Sequence, residues 1–271
     1  MPELPEVEFC AQHLRTWGPG RRVRQVYAED GPPLRDVTAA ELADVLVGNQ
    51  MTAIRRHGKQ LFIEWASGHA LWCHLGMTGK WVRQPLTEEA RKHRRCSFTL
   101  DDGYRLDFVD SRKFGRLALR MCHHEAQDGT HTNTGPDALK VAQNGRVLFE
   151  IYNHTRQPIK SALMDQKRIA GVGNIYAAEA LFGAGIHPST PANSLDEQAF
   201  GVLGDHLVSV MSQSLARETG SEIDYLSFGG KNPFMVYGRA DEPCPKCGTP
   251  IRRMKHSGRS TFYCAHCQPI S

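Results

Sequence analysis

Hydrophobic residues follow two different spacings along the chain, and the change between them falls near residue 120. Before it, short apolar runs are separated by glycine or aspartate turns, which is typical of antiparallel strands. We predict strands at 23–27, 60–65, 70–75, 96–100 and 104–109. The sequence Asp101-Asp102-Gly103 joins the last two as a hairpin turn. The first half is therefore expected to be a sandwich of two antiparallel sheets.

Two helices are predicted within this β-rich half. Val7, Cys10 and Leu14 recur at helical spacing, and the breakers at 18–20 should end that helix near residue 17. A second helix is expected at 38–46, because Thr38 and the Glu three residues later form a capping box.

The second half of the chain has helical spacing. We predict helices at 144–154, 158–165, 174–182 and 195–219, after a polar interdomain linker at 122–134. Gly171 and Gly173 precede the third of these helices, and Asn174 is expected to cap it. Backbone N–H groups at such a helix start favour an anion, although a simple interhelical turn has the same sequence.

Composition limits the classes of protein to consider. The 271 residues suffice for two modest domains and an appendage, and no apolar run is long enough to span a membrane. No secretion signal is expected at the acidic N-terminus. The net charge of +4 is mild, but basic residues cluster at 55–59, 91–95 and 112–116. Such clusters bind phosphates if they converge in space, and each alone is more often a solvated face.

Four of the eight cysteines form a pair of Cys-x₂-Cys motifs separated by sixteen residues. These four are Cys244, Cys247, Cys264 and Cys267. The spacing predicts a tetrahedral zinc site, whereas disulfides or two redox motifs are the alternatives. Four thiolates leave no open coordination position, so the expected single Zn²⁺ is structural and supports a hairpin at 251–262. The other cysteines are expected to be reduced and buried.

The N-terminus carries candidate chemistry. Removal of the initiator Met would leave Pro2 as a secondary amine, and α-amino groups have a pKa of about 7.7–8.0. Such an amine can attack a sugar C1′ atom and form an iminium, with Glu3 beside it to transfer protons. The alternative is an ordinary helix start with acidic residues in its first turn.

Several motifs together resemble the formamidopyrimidine-DNA glycosylase family of bacteria. They are the opening Met-Pro-Glu-Leu-Pro-Glu-Val-Glu, the Ala-Gly-Val-Gly-Asn-Ile-Tyr at 170–176 and the paired cysteine motifs. Leu4 favours this branch over the related endonuclease VIII branch, which opens with Pro-Glu-Gly-Pro. The resemblance covers nearly the whole chain and thins at 220–234.

The resemblance implies an α+β protein with three parts. These are an N-terminal β-sandwich with flanking helices at 1–122, a helix–two-turns–helix domain at 135–228 and a C-terminal zinc-finger hairpin at 235–271. The implied activity is excision of oxidised purines, such as 8-oxoguanine and formamidopyrimidines, through a Pro2 iminium followed by β,δ-elimination. Duplex DNA with a damaged base is the implied partner, bound between the halves by a monomer in the bacterial cytoplasm.

The resemblance also implies site residues. Lys59 matches the lysine of the β-elimination, and Arg259 matches the finger arginine of the second elimination. The implied DNA-contacting residues are His74, Met77, His93, Arg112, Phe114, Arg156 and Asn174. Read without the resemblance, Met77 is a core methionine, Lys59 is the end of a solvated strand and Arg259 is an exposed charge. Ser111 and Lys113 stand where the family usually has Pro and Arg.

Three alternatives stay open at this point. An endonuclease VIII-like enzyme would prefer oxidised pyrimidines. A damage-binding protein without catalysis would not need Pro2, Glu3 and Lys59. A zinc-finger transcription regulator would need a helix that reads the major groove, which this finger lacks in its sequence.

Overall fold

The computed structural model describes residues 2–121, 133–218, 220, 222, 232–256 and 258–270. The chain divides into two compact units. Unit 1 comprises Met1–Glu125 and Arg217–Tyr225, and unit 2 comprises Ala126–Ala216 and Leu226–Ser271. The predicted linker at 122–134 lies almost entirely outside the described residues.

Unit 1 contains the predicted sandwich of two four-stranded antiparallel sheets. In sequence order the strands are β1 (Val23–Ala28), β2 (Met51–His57), β3 (Gln60–Trp65), β4 (His69–His74), β5 (Lys80–Pro85), β6 (Arg94–Leu100), β7 (Tyr104–Val109) and β8 (Arg116–Met121). One sheet has the order β1-β6-β7-β5 and the other β2-β3-β4-β8. Aromatic rings join the two sheets, since Trp65 of β3 lies 5.7 Å from Phe98 of β6 between ring centroids.

Strands β2, β5 and β8 are absent from the sequence prediction. Each carries basic residues among its apolar ones, which hides the alternation. The structure neutralises several of these charges by cross-strand pairing: Arg55 of β2 pairs with Glu64 of β3. Arg83 of β5 lies 2.8 Å from Asp102 in the β6–β7 turn.

Helix α1 (Leu4–Trp17) begins three residues before its predicted start at residue 7. Pro5 fits the first turn, where no N–H donor is needed. The Glu3 backbone N–H, just before the helix, donates to the Glu6 carboxylate at 2.7 Å. Helix α2 (Ala39–Leu46) has the predicted capping box between Thr38 and Glu41.

Unit 2 contains five α-helices among its described residues. They are α3 (Ala138–Val141), α4 (Gly145–Tyr152), α5 (Ile159–Leu163), α6 (Asn174–Ala184) and α7 (Glu197–Arg217). The rings of Tyr152 in α4 and Phe200 in α7 stack at 5.6 Å in the core. The predicted cap of α6 is wrong: Gly173 is the N-cap, and Asn174 is the first helical residue. The Asn174 side chain is therefore available for other partners.

The C-terminal hairpin has two five-residue strands, β9 (Arg252–His256) and β10 (Arg259–Tyr263). Its small core contains Val236, Ile251 and Phe262, packed on Phe182 of α6. The fold class predicted from the sequence is thus confirmed. Within the described residues, no helix is both long and apolar enough to cross a membrane.

Candidate active site and nucleic-acid interface

The two N-terminal candidates are held at the start of α1. Pro2 is buried, and Glu3 is only 1 % exposed. Farther along α1, Glu8 forms ion pairs with Arg15 at 2.6 Å and with Arg56 of β2 at 2.5 Å. The helix is thus fixed on strand β2, which leads to Lys59.

Lys59 lies in the tight turn between β2 and β3. Gly58 adopts the left-handed conformation there (φ +54°), and His57 pairs with Gln60 across the turn. Gln60 also pairs with His74 of β4, so Lys59 and His74 share one end of the sheet.

His74 is neutral at physiological pH. Burial lowers its pKa to about 4, and the positive charges of Lys59 and Arg116 contribute further to this shift. Its Nδ1 atom accepts a hydrogen bond from the Gly76 backbone N–H at 3.0 Å. In the neutral ring the Nε2 atom therefore carries the proton and can act as a donor.

Two loops carry the candidate wedge residues, and both are organised by the fully buried Asp110. Its carboxylate accepts hydrogen bonds from the Thr78 hydroxyl and from the backbone N–H groups of Arg112 (3.1 Å) and Gly115 (2.7 Å). The loops touch at their backbones, since a Cβ atom on Gly76 would lie 2.4 Å from the Phe114 carbonyl carbon.

The side chains of these loops suit contact with DNA. Phe114 is 51 % exposed, and the Arg112 guanidinium lies 4.9 Å from the centre of its ring. Met77 is half-buried, so part of its side chain is open to solvent. The structure therefore brings Met77, Arg112 and Phe114 onto adjoining loops.

Much of the basic cluster at 91–95 is engaged within the protein. Arg94 packs 4.2 Å above the Tyr27 ring, Arg95 pairs with Glu29 at 3.0 Å, and Arg91 pairs with Glu222 at 2.5 Å. His93 is exposed and has a left-handed backbone (φ +66°). The clustering of charge in the sequence thus overstates the positive charge that the cluster offers to a ligand.

In unit 2, Asn174 faces the hairpin. Its Nδ2 atom donates to the Ser260 carbonyl at 3.0 Å, and its Oδ1 atom is buried without a partner among the described residues. Gln166 braces the glycine turn before α6 by bonding Gly171 and Val172. Asn174 thus follows a turn that is held by two side-chain hydrogen bonds.

Arg259 begins strand β10, opposite His256 of β9. One guanidinium nitrogen lies 3.7 Å from the Met164 sulfur. The hairpin beneath it is joined to α5 by the fully buried Lys160, whose ammonium group donates to the Thr261 hydroxyl at 2.8 Å. Arg156, in contrast, is exposed between α4 and α5, and it has no polar partner within the described part of the chain.

The structural roles of Asp110, Lys160 and Glu179 are not evident from the sequence. The Glu179 carboxylate accepts three backbone N–H groups, from Met235, Val236 and Tyr237, at 2.7–2.9 Å. Only the fold shows which backbone donors would otherwise lack partners. The sequence signal for Glu179 is an acidic residue surrounded by apolar residues in the same helix.

The four predicted cysteines converge in space. Their sulfur atoms all lie within 4.8 Å of one another, with Cys244 and Cys267 at 3.9 Å and Cys247 and Cys264 at 3.5 Å. A tetrahedral zinc with Zn–S bonds of about 2.3 Å requires sulfurs about 3.8 Å apart. The donor set therefore fits one structural Zn²⁺.

Comparison with known proteins covers the same three parts. The formamidopyrimidine-DNA glycosylase N-terminal domain matches residues 1–117, and the H2TH domain of the same enzymes matches residues 134–224. Residues 241–270 match a zinc finger found in FPG and IleRS.

Full-length relatives are similar over almost the whole chain. The formamidopyrimidine-DNA glycosylases of Salinispora arenicola and Gluconobacter oxydans are 38% and 37% identical, covering 99% of this chain and 96% and 100% of theirs. Among solved structures, Lactococcus lactis Fpg with abasic-site DNA is 29% identical, with a TM-score of 0.87 and coverage of 99% and 100%. MutM with DNA containing carbocyclic 8-oxo-G is 30% identical with the same TM-score and coverage.

Proposed function

The chain belongs to the formamidopyrimidine-DNA glycosylase family, and from this premise we propose that it excises oxidised purines from duplex DNA with Pro2 as the nucleophile. It is a glycosylase and AP lyase. The observation that carries the assignment of Pro2 is the burial of Pro2 and Glu3 together at the start of α1, a helix fixed to strand β2, which leads to Lys59.

The first step breaks the glycosidic bond. The Pro2 nitrogen attacks C1′ of the damaged nucleoside, and the base leaves with the bonding electrons and takes up a proton. The nitrogen loses its own proton. The C1′–O4′ bond then breaks, its electrons pass to O4′, which takes up a proton, and the nitrogen is left as an iminium with C1′. Glu3 is the group placed to transfer these protons, since it adjoins the amine in sequence and is shielded from water.

Two eliminations follow. The iminium acidifies the C2′ protons; loss of one expels the 3′ phosphate, and a second, δ, elimination expels the 5′ phosphate. Lys59 serves the first elimination and Arg259 the second. The products are a one-nucleotide gap with phosphates on both sides. The lowered pKa of His74 supports the role of Lys59, because a neutral imidazole places no second positive charge beside the lysine.

DNA is held by contacts from both units. Met77, Arg112 and Phe114 fill the space left by the extruded base, since apolar side chains and arginines can be inserted between unstacked base pairs. His74, His93, Arg156 and Asn174 contact the backbone and thereby position the duplex. We further propose that the enzyme acts as a monomer in the bacterial cytoplasm.

A lesion panel tests the function. Purified protein is incubated with duplexes that carry 8-oxoguanine opposite cytosine, a formamidopyrimidine, thymine glycol or an abasic site, under single-turnover conditions. Both purine lesions should be cleaved faster than thymine glycol. Faster removal of thymine glycol would replace the assignment with an endonuclease VIII-like one, and binding without cleavage would indicate a damage-binding protein.

A further inference from the structure

One carboxylate in unit 1 is held between two cations that the mechanism above does not use. Glu222 lies 2.7 Å from the Lys80 ammonium and 2.5 Å from the Arg91 guanidinium, with its two oxygens divided between them. All three side chains reach the surface, since Lys80 is 26%, Arg91 46% and Glu222 25% exposed. The group carries a net charge of +1.

The two cations lie at the sheet end that carries the wedge loops. Lys80 of β5 and Arg94 of β6 both pair with Val109, the last residue of β7. Asp110 and the Arg112 loop follow directly, and Lys80 itself follows the Met77 loop. Arg91 lies three residues before Arg94, the first residue of β6. Lys80 and Arg91 therefore lie at the same end of the sheet as the loops that we assign to DNA binding.

We propose that Lys80 and Arg91 form a further binding site for a DNA backbone phosphate, which Glu222 occupies in the protein without DNA. This rests on the proposed function. A phosphate offers the same paired anionic oxygens as a carboxylate, and a guanidinium beside an ammonium is a suitable set of donors for either. Glu222 thus acts as an internal competitor, which keeps the phosphate of an undamaged duplex out of this site.

The carboxylate can be exchanged without loss of the fold. Surface ion pairs add little to stability, whereas a cation that contacts DNA releases a condensed counterion for each phosphate it neutralises. Gly220, two residues before Glu222, has a contact of its own with α1, because its carbonyl oxygen lies 3.0 Å from the His13 ring nitrogen. Glu222 can therefore leave its two partners while the chain beside it stays on α1.

The test is salt-dependent binding of an undamaged duplex by Glu222→Gln. This variant should bind more tightly than the natural protein, and its plot of log K against log salt should steepen by about 0.9 for each phosphate gained. Adding Lys80→Gln and Arg91→Gln to it should return the slope to the natural value or below. An unchanged or shallower slope for Glu222→Gln overturns the proposal.

Unit 1 offers a matched control. Asp102 is likewise held by two arginines, Arg83 at 2.8 Å and Arg21 at 3.2 Å, but in the turn at the opposite end of β7. Asp102→Asn should leave both affinity and slope unchanged, and a slope as steep as that of Glu222→Gln would also overturn the proposal. Because the duplex is undamaged, the result is independent of excision, which the lesion panel measures separately.

Discussion

The Arg112 loop of unit 1 and the Arg259 hairpin of unit 2 both present an arginine for DNA, but they are supported differently. The loop stands on a sandwich with a large aromatic core, and one buried carboxylate, Asp110, fixes its backbone. The hairpin has two five-residue strands and depends on four cysteines, with buried Lys160 and Glu179 joining it to the helices. A unit this small needs a metal because its core alone buries too little apolar surface.

The largest expected effect follows from removing the metal. Structural zinc contributes about 10 kcal/mol or more to the folding of small fingers, so Cys247→Ser should lose zinc and with it the hairpin. DNA affinity and the second elimination should fall by orders of magnitude, as measured by elemental analysis, binding and product length.

The same variant tests whether the sandwich folds without the metal. All four tryptophans (17, 65, 72 and 81) lie in unit 1, so their fluorescence reports on that unit alone. The emission spectrum of Cys247→Ser should remain that of the folded protein, and the midpoint of its urea unfolding should not change. A spectrum of unfolded protein would show that the sandwich does not fold independently of the metal.

The next effect concerns Asp110. Asp110→Ala leaves the buried N–H group of Gly115 without its acceptor, at about 1–3 kcal/mol. The Arg112 N–H group loses one of two acceptors, since the Thr78 hydroxyl lies 3.2 Å away. We expect a loss of about 3 kcal/mol in urea unfolding followed by tryptophan fluorescence, and weaker excision with zinc content unchanged. Asp102→Asn, which loses only partly exposed ion pairs, should cost less than about 1 kcal/mol. Equal losses for the two variants would contradict the role assigned to Asp110.

Acid should weaken unit 1 through His74. Its pKa falls from an ordinary 6.5 to about 4 in the folded protein, so the unfolded chain binds the proton more readily between these values. The contribution is fully present above pH 6.5 and is lost as the pH falls toward 4, amounting to about 3 kcal/mol at 1.36 kcal/mol per pKa unit. Urea unfolding at several pH values should show this slope, and His74→Gln should flatten it. A slope unaffected by that substitution would assign the acid sensitivity to other groups.

The smallest effect is expected for Arg156→Ala in unit 2. This residue is exposed, so its loss should reduce the salt slope of DNA binding by about one and leave the stability unchanged. Binding of damaged and undamaged duplexes should weaken equally. A change in lesion preference would mean that Arg156 does more than contact a phosphate.

The sequence predicts the parts of this protein that depend on spacing. The strand and helix periods indicate the sandwich and the helical module, and the paired cysteine motifs indicate the zinc. Strand β5 is missed because its charges are neutralised only by distant residues such as Asp102. The supporting roles of Asp110 and Lys160 are missed for a related reason, since their partners are backbone and hydroxyl groups brought together by folding. The left-handed turn at His93 and the pairing of Arg91 with Glu222 likewise have no local signal.

Covalent trapping tests the assignment of Pro2 most directly. Borohydride is added during turnover of an 8-oxoguanine duplex, and the adduct is digested and mapped by mass spectrometry. The account predicts a reduced sugar remnant on the nitrogen of Pro2, a weaker adduct for Pro2→Gly and none when the initiator Met is retained. A remnant on Lys59, or full trapping by protein with a blocked N-terminus, would contradict it.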